Sequence, residues 1–323
     1  MRRHSVCLIV LLSGCGGDAG LPGGDADGTP DLGIPGTAYR YVLRSLTLPM
    51  MRSDFAIDLN GDGRPDNQFG NLMSVFNANN LNPQALMDGA IAMGAGIELF
   101  QLLSADPKLQ NAVPAELTAY AAGRPDKFSG AYPIDLVVPP AAFTGMLHMA
   151  SFESANPVTT TLPVDLQLRL ALIEGAGLLP LSLHGAHLQF QTGTDGTTGA
   201  PALLQGQIHG SVKEGEIQTA IIPALAQFFT KKLQANPHPG LGSNPAGSIF
   251  DTGGCTNPDG TQAKASDGII DFCEVAQNSI IKALVSPDVQ IYDANGHYAP
   301  NKNNVSKDSF SIGVGFTAIR SRF

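Results

Sequence analysis

Asp58, Asn60, Asp62 and Asp66 occupy positions 1, 3, 5 and 9 of the run DLNGDGRPD, and Gly63 sits at position 6. The alternation turns four oxygen-bearing side chains toward one centre, and the glycine permits the sharp bend this needs. Arg64 offers its main-chain carbonyl at position 7. Four such groups held close together repel or stay unpaired without a cation, so the spacing points to a hard divalent ion, calcium. Position 12 is Phe69, where tight sites carry a bidentate Glu, so the expected affinity is weak, on the order of 0.1–1 mM. The alternative is an Asx-rich surface turn that binds nothing.

A second acidic stretch, FDTGGCTNPDGTQAKASDGIIDFCEV, ends in Asp267-Gly-Ile-Ile-Asp271-Phe-Cys-Glu274, which matches positions 5 to 12 of the same pattern. Positions 1 and 3 would be Ala263 and Ala265, which have no ligating side chain. Asp251 can supply position 1 if the residues between it and Asp267 are an insertion. A third and weaker stretch holds Asp293, Asn295 and, before the last apolar run, Asp308, with a plain polar loop as its alternative. The first loop resembles those of EF-hands, dockerins and thrombospondin type-3 repeats. Each acidic stretch precedes an amphipathic or alternating apolar run, which suggests ions acting as structural clips at the seams between elements.

No catalytic constellation stands out. The chain has no G-x-S-x-G, no H-E-x-x-H and no P-loop. Gly313-Val-Gly315-Phe-Thr-Ala318 matches a loose dinucleotide fingerprint without a following helix to hold a phosphate. His184 and His187 are three apart in an apparent strand, on opposite faces, and with His209 they form at best a weak zinc candidate. Trp is absent, which weighs against a sugar-stacking platform. The formal charge is −9 with no cluster of Lys or Arg, so nucleic acid is not an expected partner.

The N-terminus carries a more specific signal. MRRH is a basic leader and SVCLIVLL a short apolar run, too short to span a bilayer and typical of an export signal. It ends in Leu12-Ser13-Gly14-Cys15, which resembles the lipobox of bacterial lipoproteins. The resemblance implies cleavage before Cys15, acylation of that cysteine, and delivery to the outer membrane, since position 16 is Gly. The alternative is an ordinary signal peptide with a chance cysteine. Loss of residues 1–14 would take the formal charge from −9 to −11. Residues 16–37 contain few large apolar groups and are expected to be a flexible spacer. Cys255 and Cys273 then remain in an exported chain and are expected to form a disulfide.

The elements that must position these groups are mostly strands. The chain has 37 Gly and 23 Pro among 323 residues, a mix that favours a loop-rich β protein. AYRYVLRSLTLPM, IELFQLL, ELTAYAA, YPIDLVV, AFTGMLHMASF, VDLQLRLAL, SLHGAHLQFQT, ALLQGQIHGSV and SFSIGVGFTAI all suggest strands. Phe69, Leu72, Met73 and Phe76 fall on one helix face, capped by Asp66 or Asn67. A second helix is expected over 83–93, with Asn82 as cap, and a third over EIQTAIIPALAQFFTKKLQ, with Pro223 as a start or kink. The expected architecture is a single antiparallel β-sandwich over residues 38–323 with a few helices and acidic loops at 58–66, 251–274 and 293–308. The expected function is a membrane-anchored, calcium-stabilised, non-enzymatic envelope protein that binds an unidentified protein or glycan or acts structurally. The alternative is an anchored hydrolase or carbohydrate-acting enzyme with its site on the sandwich loops.

Overall fold

A computed structural model describes residues 36–78, 82–106, 108–123, 132–174, 177–235 and 249–323. The expected export signal, Cys15 and nearly all of the expected spacer lie outside the described residues. Among the described residues alternating sequence builds nine strands: β1 (Thr37–Thr47), β2 (Glu98–Ser104), β3 (Val113–Ala121), β4 (Ala141–His148), β5 (Ser151–Ser154), β6 (Leu166–Leu170), β7 (Leu179–Thr194), β8 (Pro201–Lys213) and β9 (Ser309–Arg320).

The strands form a closed eight-stranded antiparallel barrel, not a sandwich. Their order is β5-β4-β3-β2-β1-β9-β8-β7, and β7 returns to pair with β5. The closing contact places Phe152 opposite Phe190, whose rings stack 5.0 Å apart. β6 shares that edge of β7 farther toward its start. The barrel is apolar inside, where Tyr41, Phe100, Phe143, Phe152 and Phe316 are almost fully buried. Its wall is polar outside, with Thr144, Glu153 and Gln191 exposed. That is the reverse of a barrel that faces lipid.

Two strand expectations change. The YPIDLVV run makes only an isolated bridge, Ile134 to Ala122. Asp135 Oδ1 accepts the Val137 N–H at 3.1 Å and turns the chain, leaving Leu136 88% and Val137 90% exposed. AFTGMLHMASF is two strands, because Met149 and Ala150 adopt left-handed backbone (φ 49° and 65°) and make the β4–β5 hairpin turn.

Five helices of six or more residues are described: α1 (Gln68–Ala78), α2 (Pro83–Ala92), α3 (Ile222–Ala235), α4 (Phe272–Gln277) and α5 (Ser279–Val285). α1 buries Phe69, Leu72, Met73 and Phe76, and Asn67 Oδ1 caps it by accepting the Gly70 N–H at 3.3 Å. Asn82 caps α2 through the Ala85 N–H at 3.0 Å. Before α3 the chain winds as a π-helical turn, Ile217–Ile221, a wider turn that accommodates the ring of Pro223 and its missing donor. All five helices fall in crossings at one barrel end, between β1 and β2 or between β8 and β9. At that end Arg169 of β6 donates through Nη2 to Ile97 O (3.0 Å) and Ala122 O (2.9 Å). Its Nε lies 4.0 Å from the buried Glu98 carboxylate, which burial pushes up to about 8. The opposite end carries the β2–β3, β4–β5 and β7–β8 connections, without a helix among the described residues.

Candidate functional site

The first acidic loop is a small hairpin closed by a bridge between Ile57 and Asp66. Asp58 organises it. Its Oδ1 accepts the N–H groups of Gly61 (2.6 Å) and Asp62 (3.2 Å), and its Oδ2 that of Gly63 (2.8 Å). Asn60 Oδ1 accepts the Asp62 N–H at 3.1 Å, and Asp62 Oδ1 accepts the Arg64 N–H at 2.8 Å. Gly63 has a φ of 82°, as the bend requires. Leu59 turns away to pack on Val289 and Ile291 in a small separate core.

Asp66 is the buried member, only 4% exposed, and its Oδ2 accepts the Leu59 N–H at 3.1 Å. Loss of water pushes its pKa up to about 7, and the charges of Asp288, Asp62 and Asp58 push the same way. Asp288 is itself buried and raised, held by the Ser311 N–H (2.8 Å) and Oγ (2.6 Å). The Ser311 Oγ also accepts the Gln68 N–H at 2.7 Å. Asn67 pairs with Gly313 in both directions, at 3.0 and 3.1 Å. A polar seam thus fastens the loop and the start of α1 to the outer face of β9. Gly313 is glycine because a Cβ there would lie 1.9 Å from the Phe55 carbonyl. The two glycines of the loose nucleotide fingerprint make room for Phe55.

The second stretch repeats part of this geometry across an insertion. Asp251 Oδ1 accepts the Asp267 N–H at 3.3 Å and its Oδ2 the Gly268 N–H at 3.0 Å, as Asp58 does for Asp62 and Gly63. Asp267 Oδ1 takes the Ile269 N–H at 2.9 Å. Cys255 and Cys273 form the disulfide that ties the insertion to α4. Glu274 is committed to main chain: Oε1 accepts from Thr252 (2.8 Å) and Gly253 (2.6 Å), and Oε2 from Asp271 (2.8 Å). Asp271 Oδ1 accepts from Asn257 Nδ2 at 3.1 Å.

The third stretch does not gather its acids. Asp293 Oδ1 accepts from Asn295 (2.8 Å) and His297 (2.9 Å), forming a local turn. Asp308 instead holds the Ile291 and Tyr292 N–H groups at 3.1 and 3.0 Å. Among the described residues no three His, Cys, Asp or Glu side chains converge as a metal site stands. In the first loop the donors are of the right type and share one hairpin, but Asp58, Asn60, Asp62 and Asp66 all point side-chain oxygens at main-chain N–H groups.

The histidines correct another expectation. His184 pairs with Ser211 and His187 with His209, so one extra residue bulges at Gly185–Ala186 and brings both histidines to the same face. Gly185 takes a φ of 59° there, with the Tyr298 hydroxyl 2.4 Å from where its Cβ would be. The His187 and His209 rings lie 6.0 Å apart, but His184 turns to two carboxylates instead. His184 lies between Asp165 (Nδ1, 3.1 Å) and Glu216 (Nε2, 3.1 Å), first the Asp165 hydrogen bond and then the Glu216 bond and both charges raising its pKa against desolvation. His187 Nδ1 bonds Ser154 Oγ at 3.0 Å. His209 is wholly buried and pushed down to about 3. Neither of its ring nitrogens makes a well-aligned bond among the described residues, although the Phe55 carbonyl lies near enough to favour a ring proton slightly. Sequence reasoning missed Asp165, Glu216 and Asp288 because each is isolated in sequence and meets its partners only through the barrel. No protein-family model, curated protein or solved structure matches this chain.

Proposed function

We propose that this is an exported, lipid-anchored envelope protein whose barrel is a non-enzymatic binding or structural module stabilised by calcium at the 58–66 loop. One observation carries the calcium reading: Asp66 is buried among like charges, with Asp288, Asp62 and Asp58 all opposing its ionisation. Among the described residues no Lys or Arg pairs with Asp58, Asp62 or Asp66; Arg52 reaches only Asp288, at 3.6 Å. Asp58, Asn60, Asp62, Asp66 and the Arg64 carbonyl would hold the ion, after all four side chains turn oxygens from their N–H partners toward it. The anchor rests on Leu12-Ser13-Gly14-Cys15 and the apolar run before it. Calorimetric titration of calcium into the chelated protein tests the ion reading: saturable binding in the range of about 0.1–1 mM is expected, and no heat of binding overturns it. Mass spectrometry of the mature N-terminus tests the anchor, and an unmodified Cys15 ends that part.

The Asp165–His184–Glu216 cluster favours the second reading, an anchored hydrolase. Against it, both ring nitrogens of His184 are engaged by carboxylates, which leaves no free lone pair to act as a base.

A further inference from the structure

The barrel end away from the helices opens into a pocket of about 320 Å³. Its walls come from strand ends and turns that share no sequence neighbourhood: Tyr39 and Tyr41 of β1, Lys108 after β2, Thr192 of β7, Pro201 of β8 and Arg320 of β9. We propose that this mouth binds a small ligand carrying one anionic group, a carboxylate or a phosphate, on a short apolar stem, with Arg320 and Lys108 receiving the charge.

The lining has two cations and no carboxylate, in a chain whose formal charge is −9. The acids nearest in sequence are already engaged. Asp106 accepts the N–H groups of Lys108 (3.0 Å), Gln110 (2.6 Å) and Asn111 (2.7 Å). Asp195 is paired with Arg44. Arg320 forms no ion pair among the described residues, and its guanidinium carbon lies 4.7 Å from the Tyr39 ring centre and 5.6 Å from that of Tyr41. Stacking of this kind orients the planar fork, which matches the two oxygens of a carboxylate or phosphate. The tyrosine rings and the buried Leu109 give the stem an apolar wall. At about 30 Å³ per water-sized group the space suits a ligand of about ten heavy atoms.

The test is calorimetric titration of the full chain with octanoate, hexyl phosphate and neutral 1-octanol. Saturable binding of at least one anion is expected, with 1-octanol weaker by about tenfold or more. Arg320→Gln should weaken the anion by about 10- to 100-fold, the loss of a charge-assisted hydrogen bond. Tighter binding of octanoate would assign the carboxylate, and tighter binding of hexyl phosphate the phosphate. If Arg320→Gln melts far below the parent, Lys108→Gln at its exposed position carries the test, with weakening of about threefold or more. The proposal is overturned if neither anion binds up to about 10 mM, if 1-octanol binds as tightly, or if the folded variant keeps parental affinity.

Discussion

The Asp58 and Asp251 loops begin alike and end differently. Each uses one aspartate to gather the N–H groups of an aspartate–glycine pair, Asp62-Gly63 in one and Asp267-Gly268 in the other. In the Asp251 loop the remaining acids are satisfied by the chain itself. Glu274 takes three main-chain donors, and a disulfide holds the insertion. In the Asp58 loop no covalent tie exists, and Asp66, which accepts a single main-chain N–H, stays buried beside other carboxylates. A run of acids at ligand spacing therefore serves two ends. It can collect N–H groups and become a self-contained turn, or it can leave negative charge that an ion would neutralise. Which one applies depends on what the rest of the chain supplies.

Breaking the covalent tie should give the largest effect. Cys255→Ser with Cys273→Ser should lower stability by about 3 kcal/mol, from the size of the loop the bond closes, read by urea unfolding, and should leave any calcium response intact. Glu274→Ala should cost about 2–3 kcal/mol, because a charged acceptor of buried main-chain donors is lost. That too should be independent of calcium. If instead the Glu274→Ala variant loses calcium-dependent stabilisation, the second loop is the ion site and the contrast drawn here is reversed.

Calcium itself should add about 1.4 kcal/mol at ten times Kd, a shift of a few degrees in melting temperature for a domain this size. Asp58→Ala with Asp62→Ala should abolish it. Equal melting temperatures for the parent in EDTA and in millimolar calcium would leave both loops as self-satisfied turns. A further test concerns pH. Asp66 is raised to about 7, above about 3.9 for an unfolded aspartate. Without calcium its contribution to stability is therefore full below about pH 4 and is lost as pH rises through about 7. Calcium needs the ionised form, so its affinity should rise across the same window. Asp66→Asn should flatten the melting temperature against pH in EDTA, and a parent-like slope would remove Asp66 from the account.

Much of this was legible in local pattern. The face formed by Phe69, Leu72, Met73 and Phe76, the Asn82 cap and the strands around VDLQLRLAL depend on near neighbours, and they stand where their spacing puts them. The disulfide followed from counting cysteines, and the pairing of Asp251 with Asp267-Gly268 from matching a loop ending to a missing beginning. Closure of the barrel was not legible. Alternation says which residues face inward, and the inner face of a sandwich looks the same as that of a barrel. The deciding contact, Phe152 against Phe190, joins strands 38 residues apart with β6 between them. His184 and His187 escaped for a related reason. A one-residue bulge at Gly185–Ala186 changes the face, and periodicity counts residues without seeing bulges. Asp165 and Glu216 lie far from His184 in sequence, so nothing local marks them as its partners.

The place of β9 has a consequence for how the chain folds. This strand, Ser309–Arg320, lies between β1 and β8, and its pairing with β1 joins Thr47 to Gly315. Until it emerges from synthesis, β1 and β8 present open edges and the ring cannot close. Pairings this remote in sequence make folding slow, on the order of milliseconds to seconds. During that interval the exposed edges are templates for association with other chains. The early steps can build β1–β5 and their hairpins, but the last strand sets the moment at which the barrel exists.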